Sequence, residues 1–360
     1  MKKILVVLVA ALLVFSACTK KDVGPRGPIT IDNIKVGFVY ISSIHDEGYT
    51  QAHDKGRLAL EAMGIETLYR EYVPENADCE KAIRDLIDLG CNVIYTNSFG
   101  FMDWTIKVAA DFPNVVFGHC SGYKRAPNVS TFFGKIYQAR YLSGIAAGYK
   151  TRANRIGYVA AFPIPEVIRG INAFTLGVQS VNPNATVEVI WTSTWYDPAL
   201  EKQAALELLN KGCDIIAQHQ DTTSPQIAAQ ERGAFAVGYN TPTPNAAPRA
   251  YLTAPLFHWD VFYVDDVNHI LNGTWQSRAY WEGLSNGTVS LDALTANNDS
   301  RAAAPIAEMK EKIRNGEFEP FTGPLTDQSG AVRIPAGTKM TDEEIWNINW
   351  FVRGVIGVIP

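Results

Sequence analysis

Short apolar runs alternate with amphipathic helical stretches from residue 34 to residue 271, and that alternation restricts the fold more than anything else in the chain. Runs at 34–40, 65–72, 91–96, 115–118 and 129–133 read as strands, separated by helical patterns at 48–63, 77–89 and 104–112. A second series opens with a helix at 137–150, whose Ala139, Gly144, Ala146, Ala147 and Gly148 permit close packing. It continues with strands at 155–160, 186–192, 214–218, 234–238 and 250–254, and helices at 165–181, 198–210, 225–232 and 259–271. Strand and helix in strict turn predict an α/β architecture, with parallel sheets covered on both faces.

The two series echo each other. Leu86-Ile87-Asp88-Leu89-Gly90-Cys91-Asn92-Val93-Ile94 matches Leu208-Leu209-Asn210-Lys211-Gly212-Cys213-Asp214-Ile215-Ile216: a helix end, a glycine that accepts the left-handed conformation, then a buried strand. With 360 residues, more than one average domain, two lobes of one architecture are the economical reading. The expected layout is a first lobe of 34–133 plus 258–276, a second of 134–257 plus 277–283, and an extension over 284–360. In that extension 302–315 and 341–351 read as helices.

The N-terminus belongs to targeting rather than to the fold. Lys2-Lys3 precede an apolar core over 4–15, and Ser16-Ala17-Cys18 closes it, so 1–18 is expected to be a lipoprotein signal peptide with Cys18 as the lipidated residue. Phe15 departs from the usual leucine of that pattern, and an ordinary secretory signal with an incidental cysteine is the alternative. Residues 19–33, rich in glycine and proline, read as a tether, which places the protein outside the cytoplasm on a lipid anchor. Cys79, Cys91, Cys120 and Cys213 are even in number and permit two disulfides, but Cys91 and Cys213 precede buried strands, where a thiol packs as a small apolar group.

A net charge of −5 without a basic stripe argues against nucleic acid as a partner. Phosphate-cradling glycine loops, H-E-x-x-H, G-x-S-x-G and paired-cysteine metal spacings are not written here, so no cofactor, metal or catalytic set is expected. What the strand ends do carry is aromatic and polar residues together: Asp46 and Tyr49, then Asn97, Ser98 and Phe99 in the first half; Phe162, Glu166, Trp195, Asp221 and Asn240 in the second. In open α/β sheets ligands sit at those ends. Flat rings offer stacking faces to a planar ligand, and carboxylates and amides read its hydrogen-bonding edge.

At these residues the chain resembles the basic membrane protein family, the purine-nucleoside-receptor type of substrate-binding lipoprotein that serves ABC transporters. The resemblance rests on Asp46-Glu47-Gly48-Tyr49-Thr50-Gln51, on 96–103, on Ile156-Gly157-Tyr158-Val159, on 164–174, on Trp195-Tyr196-Asp197-Pro198 and on Gly238-Tyr239-Asn240. It implies a type I periplasmic binding protein: two Rossmann-like lobes joined by a three-segment hinge, working as a monomer with a permease and an ATPase as partners. It further implies a purine between Tyr49 and Trp195, with Asp46, Asn97 and Ser98 bonding the base. Where nucleoside-binding relatives carry an aspartate for the ribose this chain has Asn240, and 253–259 lacks their lysine. A free base such as adenine is therefore expected ahead of a nucleoside, with Glu166 or Asp221 meeting its N–H groups and Trp259 filling the space of the sugar. A sensing receptor of the same fold without a transport partner is the rival reading.

Overall fold

The computed structural model describes residues 27–360. The expected signal peptide, its Cys18 and most of the tether lie outside the described residues. The elements run β1 (Lys35–Val39), α1 (Tyr49–Ala62), β2 (Glu66–Arg70), α2 (Ala77–Asp88), β3 (Val93–Thr96), α3 (Met102–Asp111), β4 (Val116–Cys120) and β5 (Val129–Gly134). Then come α4 (Tyr137–Lys150), β6 (Arg155–Ala160), α5 (Pro165–Val181), β7 (Thr186–Trp191), α6 (Pro198–Asn210), β8 (Ile215–His219), α7 (Ser224–Glu231), β9 (Phe235–Val237) and β10 (Tyr251–Thr253). The chain closes with β11 (Pro255–Phe257), α8 (Trp259–Leu271), β12 (Ala279–Glu282), β13 (Val289–Leu291), α9 (Ala303–Arg314), β14 (Leu325–Thr326), β15 (Val332–Ile334), α10 (Asp342–Trp346) and β16 (Val355–Ile356).

Two parallel sheets result, ordered β12-β5-β4-β3-β1-β2 and β10-β9-β8-β6-β7-β16. Their central strands β3, β5 and β8 are buried at every residue, as strands covered by helices on both faces must be. β1 to β5 correspond in order to β6 to β10, and the register repeats too: Gly37 lies opposite Ile94 in one sheet and Gly157 opposite Ile216 in the other.

The echoed segments do the same job twice. Gly90 (φ +94°) and Gly212 (φ +92°) end α2 and α6 in the left-handed conformation. Two residues on, Asn92 accepts from Lys35 N (3.0 Å) and donates to Asn33 O (2.7 Å), tying down the entry to β1. Its counterpart Asp214 accepts from Thr151 Oγ1, Arg152 N and Ala153 N at 2.6–2.8 Å, ahead of β6. All four described cysteines are free and buried, so the thiols are core rather than crosslinks. The small residues of α4 serve close approach: a Cβ on Gly144 would overlap the Phe174 carbonyl of α5, and one on Gly177 that of Tyr141.

The edges of the sheets differ from expectation. The strand at 279–282, assigned above to the second lobe with 277–283, pairs with β5 and so completes the first sheet. The extension joins the second sheet, where β16 adds an edge strand beside β7. Its last helix stops at Trp346 instead of running to 351, since Asn172 of α5 bonds the Trp350 carbonyl (2.8 Å) and the Val352 amide (3.0 Å) and holds that stretch irregular. Lys135, where the chain leaves the first lobe, is paired with Asp342 at 2.9 Å, so the extension also fastens at the crossing. Among the described residues no helix is long and apolar enough to cross a membrane.

Asp214→Ala strips acceptors from three donors at the mouth of β6 and is expected to lower the unfolding free energy by roughly 2–4 kcal/mol. Asp214→Asn, which copies Asn92, should cost less than half of that. Urea unfolding of the two variants checks the order, and equal losses would mean the turn does not depend on this acceptor.

Candidate functional site

The C-terminal ends of both sheets face each other across a cavity of about 300 Å³, lined by Ile41, Tyr49, Asn97, Ser98, Phe99 and Ser121 from the first lobe and Glu166, Trp195, His219, Asp221 and Tyr239 from the second. Each residue follows a strand or opens a helix, as the crevice rule for such sheets requires. The lobes touch at the rim. Thr223 Oγ1 donates to Glu47 Oε2 (3.2 Å), Thr241 Oγ1 donates to the Glu47 carbonyl (3.0 Å), and Gly48 lies so close to the Asp221 carbonyl that a Cβ would overlap it. The structure is therefore a closed form.

In the first lobe the start of α1 positions Tyr49. Asp46 accepts from Gly48 N (2.8 Å) and Gln51 N (3.0 Å) on one oxygen, and from Thr50 N (2.9 Å) and Ser42 Oγ (2.7 Å) on the other. An anion at a helix N-terminus is well placed to do this, although burial still holds its pKa above the usual range against those hydrogen bonds. The carboxylate is thus engaged with its own helix, and Asp46 is not among the lining residues. The Tyr49 hydroxyl donates to the Asn97 carbonyl at 2.5 Å, and its ring packs edge-on against His53 (4.6 Å). His53 in turn stacks on Trp259 at 4.5 Å and 7°. Trp259, expected in the sugar space, is fully buried behind the cavity wall, held also against Phe257 at 4.4 Å.

Asn97 spends its amide oxygen on Ile41 N (3.3 Å), and its amide nitrogen is buried without a partner at the cavity wall. The Ser98 hydroxyl donates to Glu75 (2.5 Å), which also accepts from Gly100 N (2.7 Å) and so shapes the turn that presents Phe99.

In the second lobe Trp195 stands in the loop after β7, its ring 5.0 Å from Phe162, which backs it without lining the cavity. Glu166, in the first turn of α5, lies 3.3 Å from His219 Nε2. Burial pushes the His219 pKa down to about 4, so the ring is neutral. Asp221 is buried, and its pKa is driven well up by that burial and then by the charges of Asp46, Glu201 and Glu166. Asn240 (φ +69°) sits behind it, close enough to favour the ionised form, while its own amide nitrogen and oxygen are buried without a hydrogen-bond partner. Tyr239 carries the Arg140 guanidinium 3.7 Å over its ring.

Of the residues expected from sequence, Tyr49, Asn97, Ser98, Phe99, Glu166, Trp195 and Asp221 meet at the cavity, while Asp46, Phe162, Asn240 and Trp259 stand behind it. Ile41 and Ser121 were not singled out, though the same strand-end rule points to each; His219 and Tyr239, from the strand-end sets His219-Gln220-Asp221 and Gly238-Tyr239-Asn240, line the cavity as well. Among the described residues no group of three or more His, Cys, Asp or Glu side chains could hold a metal ion. The arrangement offers apolar faces from both lobes, an amide donor from one side and carboxyl groups from the other. It has the means to hold a flat, hydrogen-bonding molecule.

Comparison with known proteins agrees. A family model described as ABC transporter substrate-binding protein, PnrA-like (Bmp), matches residues 33–319. A purine-binding protein of Brucella abortus is 40% identical over 333 residues, covering 91% of this chain and 95% of its own. A putative ABC transporter glucose-binding protein of Haloferax volcanii is 36% identical over 337 residues, covering 93% and 83%. In fold, an ABC transporter system solute-binding protein from Aeropyrum pernix K1 superimposes with a TM-score of 0.69 over 87% of this chain and 97% of its own, at 18% identity.

Glu201 supplies a test of the electrostatics around Asp221. Burial raises its pKa to about 7, against hydrogen bonds from Thr222 and Asp197 N. A buried acid with a raised folded pKa takes up protons on folding, so stability falls as pH rises from the unfolded value near 4.5 through about 7. The stability gap between Glu201→Gln and the parent should therefore shift in favour of the variant across that window, by up to about 3 kcal/mol. Thermal melts from pH 4 to 8 check it; a gap that does not vary with pH would contradict the assignment.

Proposed function

This chain belongs to the PnrA-like (Bmp) family of ABC transporter substrate-binding proteins, and we propose that its ligand is a free purine base, adenine before guanine, handed to the permease unchanged. Substrate-binding proteins of ABC importers act outside the cytoplasm, and their cargo is a small molecule. The observation that carries the purine reading is the pairing of aromatic walls from opposite lobes, Tyr49 and Phe99 against Trp195 and Tyr239, with an unspent donor at one edge, the Asn97 amide nitrogen, and the buried Asp221 carboxyl at the other. The name of the Brucella abortus relative points the same way.

A base is favoured over a nucleoside on chemistry. Asn240 replaces the acidic ribose partner and sits behind Asp221, and the lysine is missing. Ring N–H groups of a purine would face Asp221 and Glu166 and supply the donors that their burial leaves lacking. Closure then works by hinge motion, in which contacts from both lobes stabilise the shut form. The Haloferax volcanii relative's name raises a hexose as the second reading, but a polyol ring would leave the aromatic faces without planar partners.

Isothermal titration with adenine, guanine, adenosine, riboflavin and glucose tests the assignment, with adenine expected at least tenfold tighter than adenosine. Tyr49→Ala and Trp195→Ala should each cost ~1–3 kcal/mol of purine binding, and Asp221→Asn should weaken binding while raising the melting temperature of the ligand-free protein. Undiminished affinity in both ring variants, or glucose as the tightest ligand, would sink the proposal.

We also infer a lipid anchor on Cys18, with the protein working as a tethered monomer beside its permease and ATPase. In cell fractionation Cys18→Ser should move the protein from the membrane to the soluble extracytoplasmic fraction; an unchanged distribution would exclude the anchor.

A further inference from the structure

Gly170 lies in the middle of α5, one turn past Glu166 and on the same face of the helix, next to the buried side of His219. A glycine inside a helix is less favourable than alanine, and nothing here forbids a methyl group on steric grounds. The three heavy atoms nearest the point where its Cβ would lie are Arg140 Nε and Tyr158 Oη at 3.6 Å and His219 Nδ1 at 3.7 Å. All three are buried without a hydrogen-bond partner, and so is Arg140 Nη2. The side chains themselves are 0%, 0% and 2% exposed. Four orphaned polar atoms around one missing side chain run against the rule that buried polar groups are satisfied.

We propose that a single buried water molecule is bound in this niche by Arg140, Tyr158 and His219, and that it fixes the tautomer of His219 at the back of the ligand cavity. His219 Nε2 lies 3.3 Å from both the Glu166 carboxylate and the Tyr239 hydroxyl; the carboxylate can only accept, so Nε2 carries the proton and donates to it, which leaves Nδ1 as an acceptor. Water bonds all three side chains: it accepts from the Arg140 Nε–H/Nη2–H edge and from Tyr158 Oη–H, and it donates to His219 Nδ1. A chloride or other monatomic anion would answer Arg140 but would face the Nδ1 lone pair with nothing to donate. The neutral ring, its pKa held down to about 4 by burial, is consistent with this arrangement. Arg140 is anchored independently, by Nη1 to the Gln218 carbonyl at 2.5 Å and by stacking over Tyr239, so the niche keeps its shape. Through His219 the water holds Glu166 as an acceptor on the cavity wall; this last role rests on the cavity being the ligand site.

A high-resolution crystal structure of the full mature protein should show a density peak within ~2.6–3.2 Å of Arg140 Nε, Tyr158 Oη and His219 Nδ1. A niche without density, or an anomalous peak there in bromide-soaked crystals, would overturn the proposal. Gly170→Ala gives an independent sign. If the niche is dry, the methyl group fits at van der Waals distance and the better helix former raises the melting temperature. If it holds the water, the methyl displaces it and strands four polar atoms, so the melting temperature falls by roughly 2–4 °C or more. Adenine affinity of that variant should drop about tenfold. Density and melting sign do not involve purine, so a protein that fails to bind adenine yet shows both would lose its assigned ligand and keep its water; a dry niche beside tight adenine binding would do the reverse.

Discussion

Closing two lobes over Asp221 brings a carboxyl group out of water into the neighbourhood of Asp46, Glu166 and Glu201, and the rest of the molecule has to accommodate that. Desolvation and like charges both disfavour ionisation there. Relief comes from within the second lobe, through nearby Asn240, and from whatever N–H groups a ligand brings. A closed form built this way is tight only when a donor-bearing molecule is inside. That is the property a carrier needs, because a ligand shifts the lobe equilibrium only by its differential contacts with the closed state. His219, neutral with a pKa near 4, is a weak base at physiological pH, and the Ser98 hydroxyl, bonded to Glu75, is spent on the turn that presents Phe99.

Much of the fold was legible because its signals are local. Helix ends marked by Gly90 and Gly212, strands apolar on both faces and a stripe of small residues on α4 each state their own conformation. The errors fall where a partner distant in sequence decides. β12 and β16 are short edge strands recruited from after residue 271, and nothing in Ala279–Glu282 or Val355–Ile356 names the neighbour it will pair with. The tail after Trp346 misled for a physical reason. Ile345, Ile348, Phe351 and Val352 are all buried with helix-like spacing, yet the backbone there takes its hydrogen bonds from Asn172 rather than from its own preceding turn. Burial period and helix period coincide in that segment by tertiary packing alone.

The site was legible to the same depth. Position at a strand end is a local property, and it selected most of the lining residues. Direction is not local. Asp46, which the family resemblance assigns to the base, has both oxygens engaged by four donors of its own neighbourhood and so holds Tyr49 in place. Trp259 opens α8 close in space to the cavity and yet supports it from behind, through His53. His219 and Tyr239 reach the wall because Glu166 and Arg140, from two different helices, stack and bond against them, an arrangement that no single segment encodes.

The extension then acquires a mechanical sense. It is bonded along α5 through Asn172, and the Trp346 ring lies 4.8 Å from the Arg169 guanidinium, one helical turn from Glu166. The aromatic rings of Phe133 and Trp281, both from the first sheet, stand at 5.5 and 5.6 Å from the same guanidinium. Arg169 is fully buried, and burial lowers its pKa. A buried cation held mainly by ring faces needs those faces kept dry and close. Trp346 also meets the Trp281 ring at 5.0 Å, edge-on, so the tail completes a box of rings around this cation, on the helix whose first turn carries Glu166 to the cavity.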